Sequence, residues 1–381
     1  MIVSTLGASG CGPTLRGTVP SERLRDVVQR DTVPFANEAL PAELLERLAR
    51  YEVVVVGEYH GITEHDAFVG ELVAGLHAAG FRNLLLEFPQ AYGWLLDGYA
   101  RGILDTPGEG ALRTYGPLLE RVRSLNATLP AANHVRVHAI DVNARDDDFL
   151  PPFRGLAHQL GLPRVLTEAI ESIEAGAARD ATLGALEAAL VADEERLRGA
   201  WGEGGYEAVL ALVEAERRSL EVRLFPAGRR RDEAREALMK ALVDRQLARG
   251  SGGTVVNVGL YHAQKTRRDG TVAVWLAEHL VRSSPHAQGR TFVLAVVPAS
   301  GEKVFGERLR SFDVATDSPA NELFRIMREV VGDVAAFLPL DDELFSHERV
   351  VVNYLPRIDT EPPALVFDGF VLLPEVRPAG R

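Results

Sequence analysis

The sequence is short of several things, and each shortage closes off a class of function. A single cysteine, Cys11, stands among 381 residues, so no disulfide can form within the chain. Basic residues are outnumbered, 42 Lys and Arg against 54 Asp and Glu, for a formal net charge of −12. A nucleic-acid partner is therefore not expected, because phosphate contacts need a basic face. No apolar run reaches the length that crosses a bilayer. Gly-x-Ser-x-Gly does not occur, and Cys11 has no catalytic setting. No Gly-x-Gly-x-x-Gly follows a strand, and no Walker-type Gly-Lys-Ser/Thr is present. These absences set aside nucleophilic serine or cysteine chemistry and phosphate cradles.

What the sequence does hold is a run of four valines, Val53 to Val56, followed by Gly57, Glu58, Tyr59 and His60. Consecutive β-branched residues make a strand buried on both faces, as in parallel sheets. From Thr63 the pattern turns helical, with Phe68, Leu72 and Leu76 four apart. Glu58 and His60 are thus expected at the carboxyl end of a buried strand, where open α/β sheets place their ligands. The event recurs. Leu84 to Leu86 end in Glu87, Val135 to Ile140 end in Asp141, and Thr254 to Val258 end in Gly259, Leu260, Tyr261 and His262. Gly57 and Gly259 carry no side chain to obstruct a close approach at those tips.

The expected fold is α/β, a mostly parallel central sheet with flanking helices and a large all-helical insertion. Residues 1–40 read as a lead-in, 41–148 and 250–381 as the α/β core, and 149–249 as the insertion. In the first core segment the pattern predicts helix 41–50, strand 53–57, helix 63–79, strand 83–87, helices 90–101 and 111–125, and strand 134–141. Within the insertion, Leu183, Leu186, Leu190 and Leu197 mark one amphipathic helix, and Val209, Leu212, Val213, Leu220 and Leu224 another. Pro226 and Gly228 break the pattern before a return helix over 229–247. The insertion is expected to cap the carboxyl edge of the sheet, since both its flanks are strand tips; a separate bundle is the alternative. Beyond it come strand 254–259, helix 271–282, strand 291–297, helix 320–331, strand 350–354, and 365–373 as an edge element.

At the N-terminus Cys11 follows Ala8, Ser9 and Gly10, as in the cleavage box of a bacterial lipoprotein, which would tie the protein to a membrane through a lipid on Cys11. No Lys or Arg precedes it and the apolar stretch is short for a signal peptide. An irregular tail on a cytoplasmic protein is the expectation, with a cell-envelope lipoprotein as the alternative.

Two histidines and several carboxylates at neighbouring strand tips have two standard uses. One is to hold a divalent ion with positions left open for water. The other is direct acid–base work on a water molecule. A lone strand-end histidine is more often an ordinary surface or core residue, but the matched Gly57-x-x-His60 and Gly259-x-x-His262 need that accident twice. Asp141 is a weaker candidate. His65 reads as surface, Lys265 as an anion contact or a solvated cation, and His134, His138 and His158 as bland.

Together, Gly57-Glu58-Tyr59-His60 with His65 downstream, Leu86-Glu87, and Gly259-x-x-His262 resemble the signature set of the erythromycin-esterase, ChaN and TIKI/TraB superfamily. The resemblance spans about 51–297 and says little about the insertion. It implies different chemistry by branch. TIKI-like members are metal-dependent peptidases, which would make His60, Glu87 and His262 ligands. Erythromycin-esterase-like members open a lactone with water activated by His and Glu. ChaN-like members are lipoproteins that bind haem through a Tyr or His, which would implicate Tyr59 and Tyr261.

The expectation is a hydrolase acting on an ester, lactone or peptide bond of a small molecule or peptide, with Glu58, His60, Glu87 and His262 as its catalytic residues. A divalent ion (zinc, manganese or cobalt) would be held by His60, His262 and a carboxylate from Glu87 or Glu58, the other carboxylate acting as base. A metal-free esterase and a haem-binding lipoprotein of iron uptake are the alternatives. The oligomeric state is left open.

Overall fold

Strands that are apolar at every position sit inside a sheet covered on both sides, and such strands form the centre of this molecule. The computed structural model describes residues 19–36, 39–250, 252–266, 272–305, 308–314, 322–350 and 362–379. The first part runs α1 (Ser21–Asp31), β1 (Val33–Phe35), α2 (Ala42–Leu48), β2 (Val53–Glu58), α3 (Thr63–His77) and β3 (Phe81–Pro89). A short 3-10 turn at Gln90–Tyr92 then leads into α4 (Gly93–Ala100), α5 (Glu109–Asn126) and β4 (Arg136–Asp141). The insertion holds α6 (Leu150–Gln159), α7 (Arg164–Glu174), α8 (Arg179–Ala192), α9 (Glu194–Arg223) and α10 (Arg229–Ala248). Then follow β5 (Gly253–Gly259), α11 (Leu276–Arg282), β6 (Thr291–Pro298), and the hairpin β7 (Ser300–Phe305) and β8 (Arg308–Asp313). The chain ends with α12 (Glu322–Val331), β9 (Ala335–Pro339), α13 (Glu343–His347) and β10 (Gly369–Leu373).

Among the described residues the main sheet has eight strands in the order β1-β9-β10-β6-β2-β5-β3-β4. Neighbours from β10 to β4 run parallel, and β9 is antiparallel to both β10 and β1. β2 lies at the centre, with Glu58 in register with Gly259 of β5. β5, although late in sequence, slots between β2 and β3. Three strand tips rich in polar residues thereby become neighbours.

Alternation along the strands divides the core in two. Val53, Val55, Leu85, Val256 and Val258 face a layer made with α1, α10, α11 and α12. Val54, Val56, Leu84, Leu86 and Val255 face α2, α3, α4 and α5. Fully burying one such side chain is worth about 1.5–3 kcal/mol, so both layers anchor the sheet. The insertion has a third core of its own, with Phe149, Phe153, Leu183, Leu190, Tyr206 and Val209 at its centre. Its last helix departs from this grouping. Leu238, Met239, Leu242 and Val243 of α10 belong to the first sheet layer. No helix among the described residues is long and apolar enough to cross a membrane.

Several sequence expectations need correction. The lead-in contains α1, whose Leu24, Val27 and Val28 are buried, and β1, which pairs with β9; charged residues between the apolar positions hid the helix, and three residues with a central proline hid the strand. The segment 365–373 is no edge, because β10 lies between β9 and β6. The edges are β1 and β4; β1 and β9, which the pattern did not announce, lie outside β10 and account for the difference, and the equally unannounced β7–β8 hairpin forms a sheet of its own. Leu197 does not continue the helix of Leu183 but opens α9. Helix 271–282 starts only at Leu276. Cys11 and residues 351–354 lie outside the described residues.

Candidate active site

β2 ends at Glu58, and His60, two residues on, turns back so that its Nδ1 donates to Glu58 Oε1. Glu58 is 5% exposed whereas the His60 side chain is 63% exposed, so the pair has one buried and one open member. On its other oxygen Glu58 accepts from Asn257 Nδ2 at 2.7 Å. The Tyr115 hydroxyl lies 3.5 Å from Glu58 Oε1 and 3.3 Å from the Glu87 carbonyl oxygen. Tyr115 reaches there from a kink in α5 (φ −130°, ψ 24°) two residues before Pro117, whose ring and missing N–H break the helical ladder. Burial opposes the charge on Glu58, but the hydrogen bond and charge of His60 outweigh it and hold its carboxyl below the usual range. His60 shows the converse. Desolvation by its surroundings opposes the cation, yet Glu58 and the charge of Glu87 raise its pKa to about 9.

Glu87 leaves the tip of β3 toward the other layer, in step with Leu85. Its Oε2 accepts the Gly259 N–H at 2.7 Å, and its Oε1 accepts from Arg235 Nη2 and lies 3.3 Å from His262 Nε2. Arg235 also forks onto Asp141, with Nε and Nη2 each 2.7 Å from a carboxylate oxygen. The bidentate geometry suits a guanidinium and fixes its plane. His262 Nδ1 donates to Glu236 Oε2 at 2.6 Å, Trp275 packs edge-on to the ring, and Glu236 Oε1 takes the Leu276 N–H. Burial opposes the charge on both His262 and Glu87. Glu87 and Glu236 nonetheless raise His262 to about 10, and His262, His60 and Arg235 hold Glu87 well below the ordinary carboxylate range.

The two groups meet over Gly259. A Cβ at that position would fall 2.7 Å from His60 Nε2 and 3.4 Å from Glu87 Oε2. All four residues singled out from the sequence therefore converge at one end of the sheet. Gly57 serves a different purpose from the one expected: a Cβ there would meet Ala263 at 2.8 Å and Leu260 at 2.9 Å, so it admits the chain after β5, not a ligand. Tyr59 lies beneath the Lys303 ammonium, 4.1 Å from its ring centroid, and Tyr261 packs 5.9 Å from Trp275.

The arrangement does not fit a divalent ion. Among the described residues no three His, Cys, Asp or Glu side chains are grouped to hold one. Both Glu87 oxygens are engaged, by Gly259 and by Arg235. The Arg235 guanidinium, with Nη1 3.5 Å from His262 Nε2, supplies the positive charge between those two side chains.

No family model matches this sequence, and no curated protein matches it. Solved structures do. A protein from Bacillus cereus is 16% identical over 95% of this chain and 99% of its own, with a TM-score of 0.71. A succinoglycan biosynthesis protein is 14% identical over 94% of this chain and 98% of its own, at 0.68. An erythromycin esterase mutant, EreC, in its open conformation is 14% identical over 92% and 98%, at 0.64. The chain has an erythromycin-esterase-like fold. At such identities the shared property is the architecture, and the chemistry is argued from this chain's own residues.

Within this fold some sequence readings of single residues change. His65 is 2% exposed, not a surface residue, and its Nε2 meets Asn257 Oδ1 at 2.9 Å. Lys265 pairs with Asp368, so it is neither a free anion contact nor solvated. Asp141 acts on the site through Arg235. Sequence reasoning missed Arg235, Glu236, Asn257 and Tyr115. A signal existed for three of them. Asn257 interrupts a valine strand, and Arg235 and Glu236 stand one turn before Met239 on the stripe that buries Leu242 and Val243. Charged or amide groups on a core face carry a solvation cost unless something there binds them. Tyr115 gave no such signal.

Proposed function

We propose that the protein is a hydrolase of the esterase type, opening an ester or lactone with water activated by the Glu58–His60 pair. The observation that carries this reading is the orientation of His60. Glu58 holds Nδ1, which leaves Nε2 as the basic nitrogen of an exposed ring, facing Gly259 and Glu87 and within the field of His262. Deprotonated Nε2 takes a proton from water as the oxygen bonds to the substrate carbonyl carbon; the imidazolium then returns the proton to the alkoxide as the C–O bond breaks. Glu58 stabilises that imidazolium. The cationic His262, backed by Arg235, supplies positive charge for the carbonyl oxygen as it becomes an oxyanion. Support also comes from the fold, which an erythromycin esterase shares.

The test is a panel of p-nitrophenyl esters and macrocyclic and small lactones, assayed before and after exhaustive chelation. Turnover that survives chelation and disappears in His60→Ala is the expected result. Activity lost on chelation and restored by one divalent ion would establish the metal-dependent reaction instead. No turnover on any ester or lactone would overturn the esterase reading.

A further inference from the structure

Glu58 can orient His60 only if something orients Glu58. Its carboxylate ends a strand, and a carboxyl group is free to rotate about its last bond unless both oxygens are engaged. Oε1 is committed to His60. Oε2 receives Asn257 Nδ2 at 2.7 Å, and Asn257 is fully buried on β5, opposite Val56. An Asn side chain is ambiguous by itself, since its oxygen and nitrogen can exchange places. Here the neighbours decide. A carboxylate only accepts, so the NH2 faces Glu58 and the Oδ1 faces His65 Nε2, 2.9 Å away. That in turn requires the proton of His65 to sit on Nε2. His65 Nδ1 agrees, being buried with no partner among the described residues, as the bare nitrogen of a neutral ring is when no donor reaches it.

We propose that Asn257 is the positioning residue of the site and His65 its anchor, so that a one-directional chain from His65 through Asn257 to Glu58 sets the direction in which His60 presents Nε2. This rests on the esterase-type reading. Each link has one allowed polarity: the His65 Nε2–H donates to the Asn257 carbonyl, its NH2 to Glu58, and Glu58 accepts the Nδ1–H of His60. Reversing the first link would reverse the amide and set its oxygen against the carboxylate. The other groups that face the chain are Asp66 on α3, Tyr115 on α5 and Glu87 on β3. Burial and the charge of Glu58 hold Asp66 and Tyr115 toward their neutral forms. They therefore leave Asn257 and His60 as the main partners of Glu58, with His65 Nε2 itself 3.4 Å from Oε2, farther than the 2.9 Å at which it meets Asn257 Oδ1.

The test compares Asn257→Leu, Asn257→Asp, His65→Leu and His65→Gln with the unaltered protein, using p-nitrophenyl butyrate across a pH series. Asn257→Leu and His65→Leu should lower kcat about 100-fold, within the range for a misoriented general base, with KM changed less than about twofold. His65→Gln retains an N–H for Asn257 and should recover most of that loss. Asn257→Asp keeps size and shape, so it reports even where the leucine variants fail to fold. Its carboxyl shares one proton with Glu58, so its rate should follow that of the unaltered protein at each pH while that proton is held and fall away from it as the proton is lost. A profile of unchanged shape, or equal losses in His65→Gln and His65→Leu, would overturn the assignment. Ring 15N NMR of the unaltered protein at neutral pH probes the chain without any turnover. His65 should be the neutral Nε2–H tautomer and become a mixture in Asn257→Leu, which removes the acceptor of that proton. An Nδ1–H tautomer or a cationic His65 would overturn the chain. If no ester is cleaved, the function falls and the NMR result still decides the chain.

Discussion

The two imidazole–carboxylate pairs of the site are built in opposite ways. Glu58 and His60 are two residues apart, stand on the α3–α5 side of the sheet, and leave His60 open to water. Glu236 and His262 are 26 residues apart, stand on the α10 side, and are 1% and 8% exposed. A local pair with one solvated member can change protonation cheaply and move. A distant, buried pair cannot, because an unpaired charge left there has no water to turn to. The first is suited to carrying a proton and the second to holding a fixed charge.

Substitutions should separate those roles. The largest effect is expected from His60→Ala, which should lower kcat/KM by about 10³-fold or more while lowering the melting temperature less than loss of the buried Glu236 does, because the His60 ring is exposed; steady-state kinetics and calorimetry on one preparation check it. Glu236→Ala should do the reverse in kind. It strands the buried His262 cation and should cost about 3–5 kcal/mol of stability, measured by urea unfolding. If it costs no more stability than a surface change, the buried half is not the structural partner described here.

Proton linkage sharpens the contrast. His60 and His262 have folded pKa values of about 9 and about 10, above the unfolded value of about 6.5. Their stabilising contribution is fully present below about pH 6.5, and it is lost as pH rises through those folded values. Rate should move the opposite way, rising with pH until His60 is deprotonated near 9. Melting temperature and kcat/KM recorded together from pH 6 to about 10 should cross; parallel curves would remove His60 as the base. The smallest effect is expected from Gly259→Ala, whose methyl would press on His60 Nε2. The ring is exposed and can yield, so activity should fall about tenfold, roughly 1.4 kcal/mol in the barrier, with little loss of fold.

The same contrast explains what the sequence disclosed. The α/β class, the parallel core and the Glu58–His60 half were legible because each lies within a few residues, where periodicity and a strand end carry the information. Glu87 and His262 were legible as strand-tip residues too. Their partners were not. Arg235 and Glu236 sit in a helix read only as part of an insertion, and nothing local says that α10 returns to the sheet. β1 and β9 were missed for a similar reason. They are short, and their pairing joins residues about 300 positions apart, such as Val33 with Phe337.

α10 therefore decides where the chain can be divided. The helices before it share a core among themselves, apart from Val222 of α9, which packs with the sheet layer, and none of them carries a reacting group. α10 is bound by four buried side chains to the sheet and by Arg235 and Glu236 to the site. Exchange of residues 149–228 for another helical segment should give a folded protein with altered substrate preference, whereas exchange extended to 249 should remove half of the chemistry along with a wall of the core. The boundary between what can vary and what must stay falls at Gly228, inside the insertion and not at its ends.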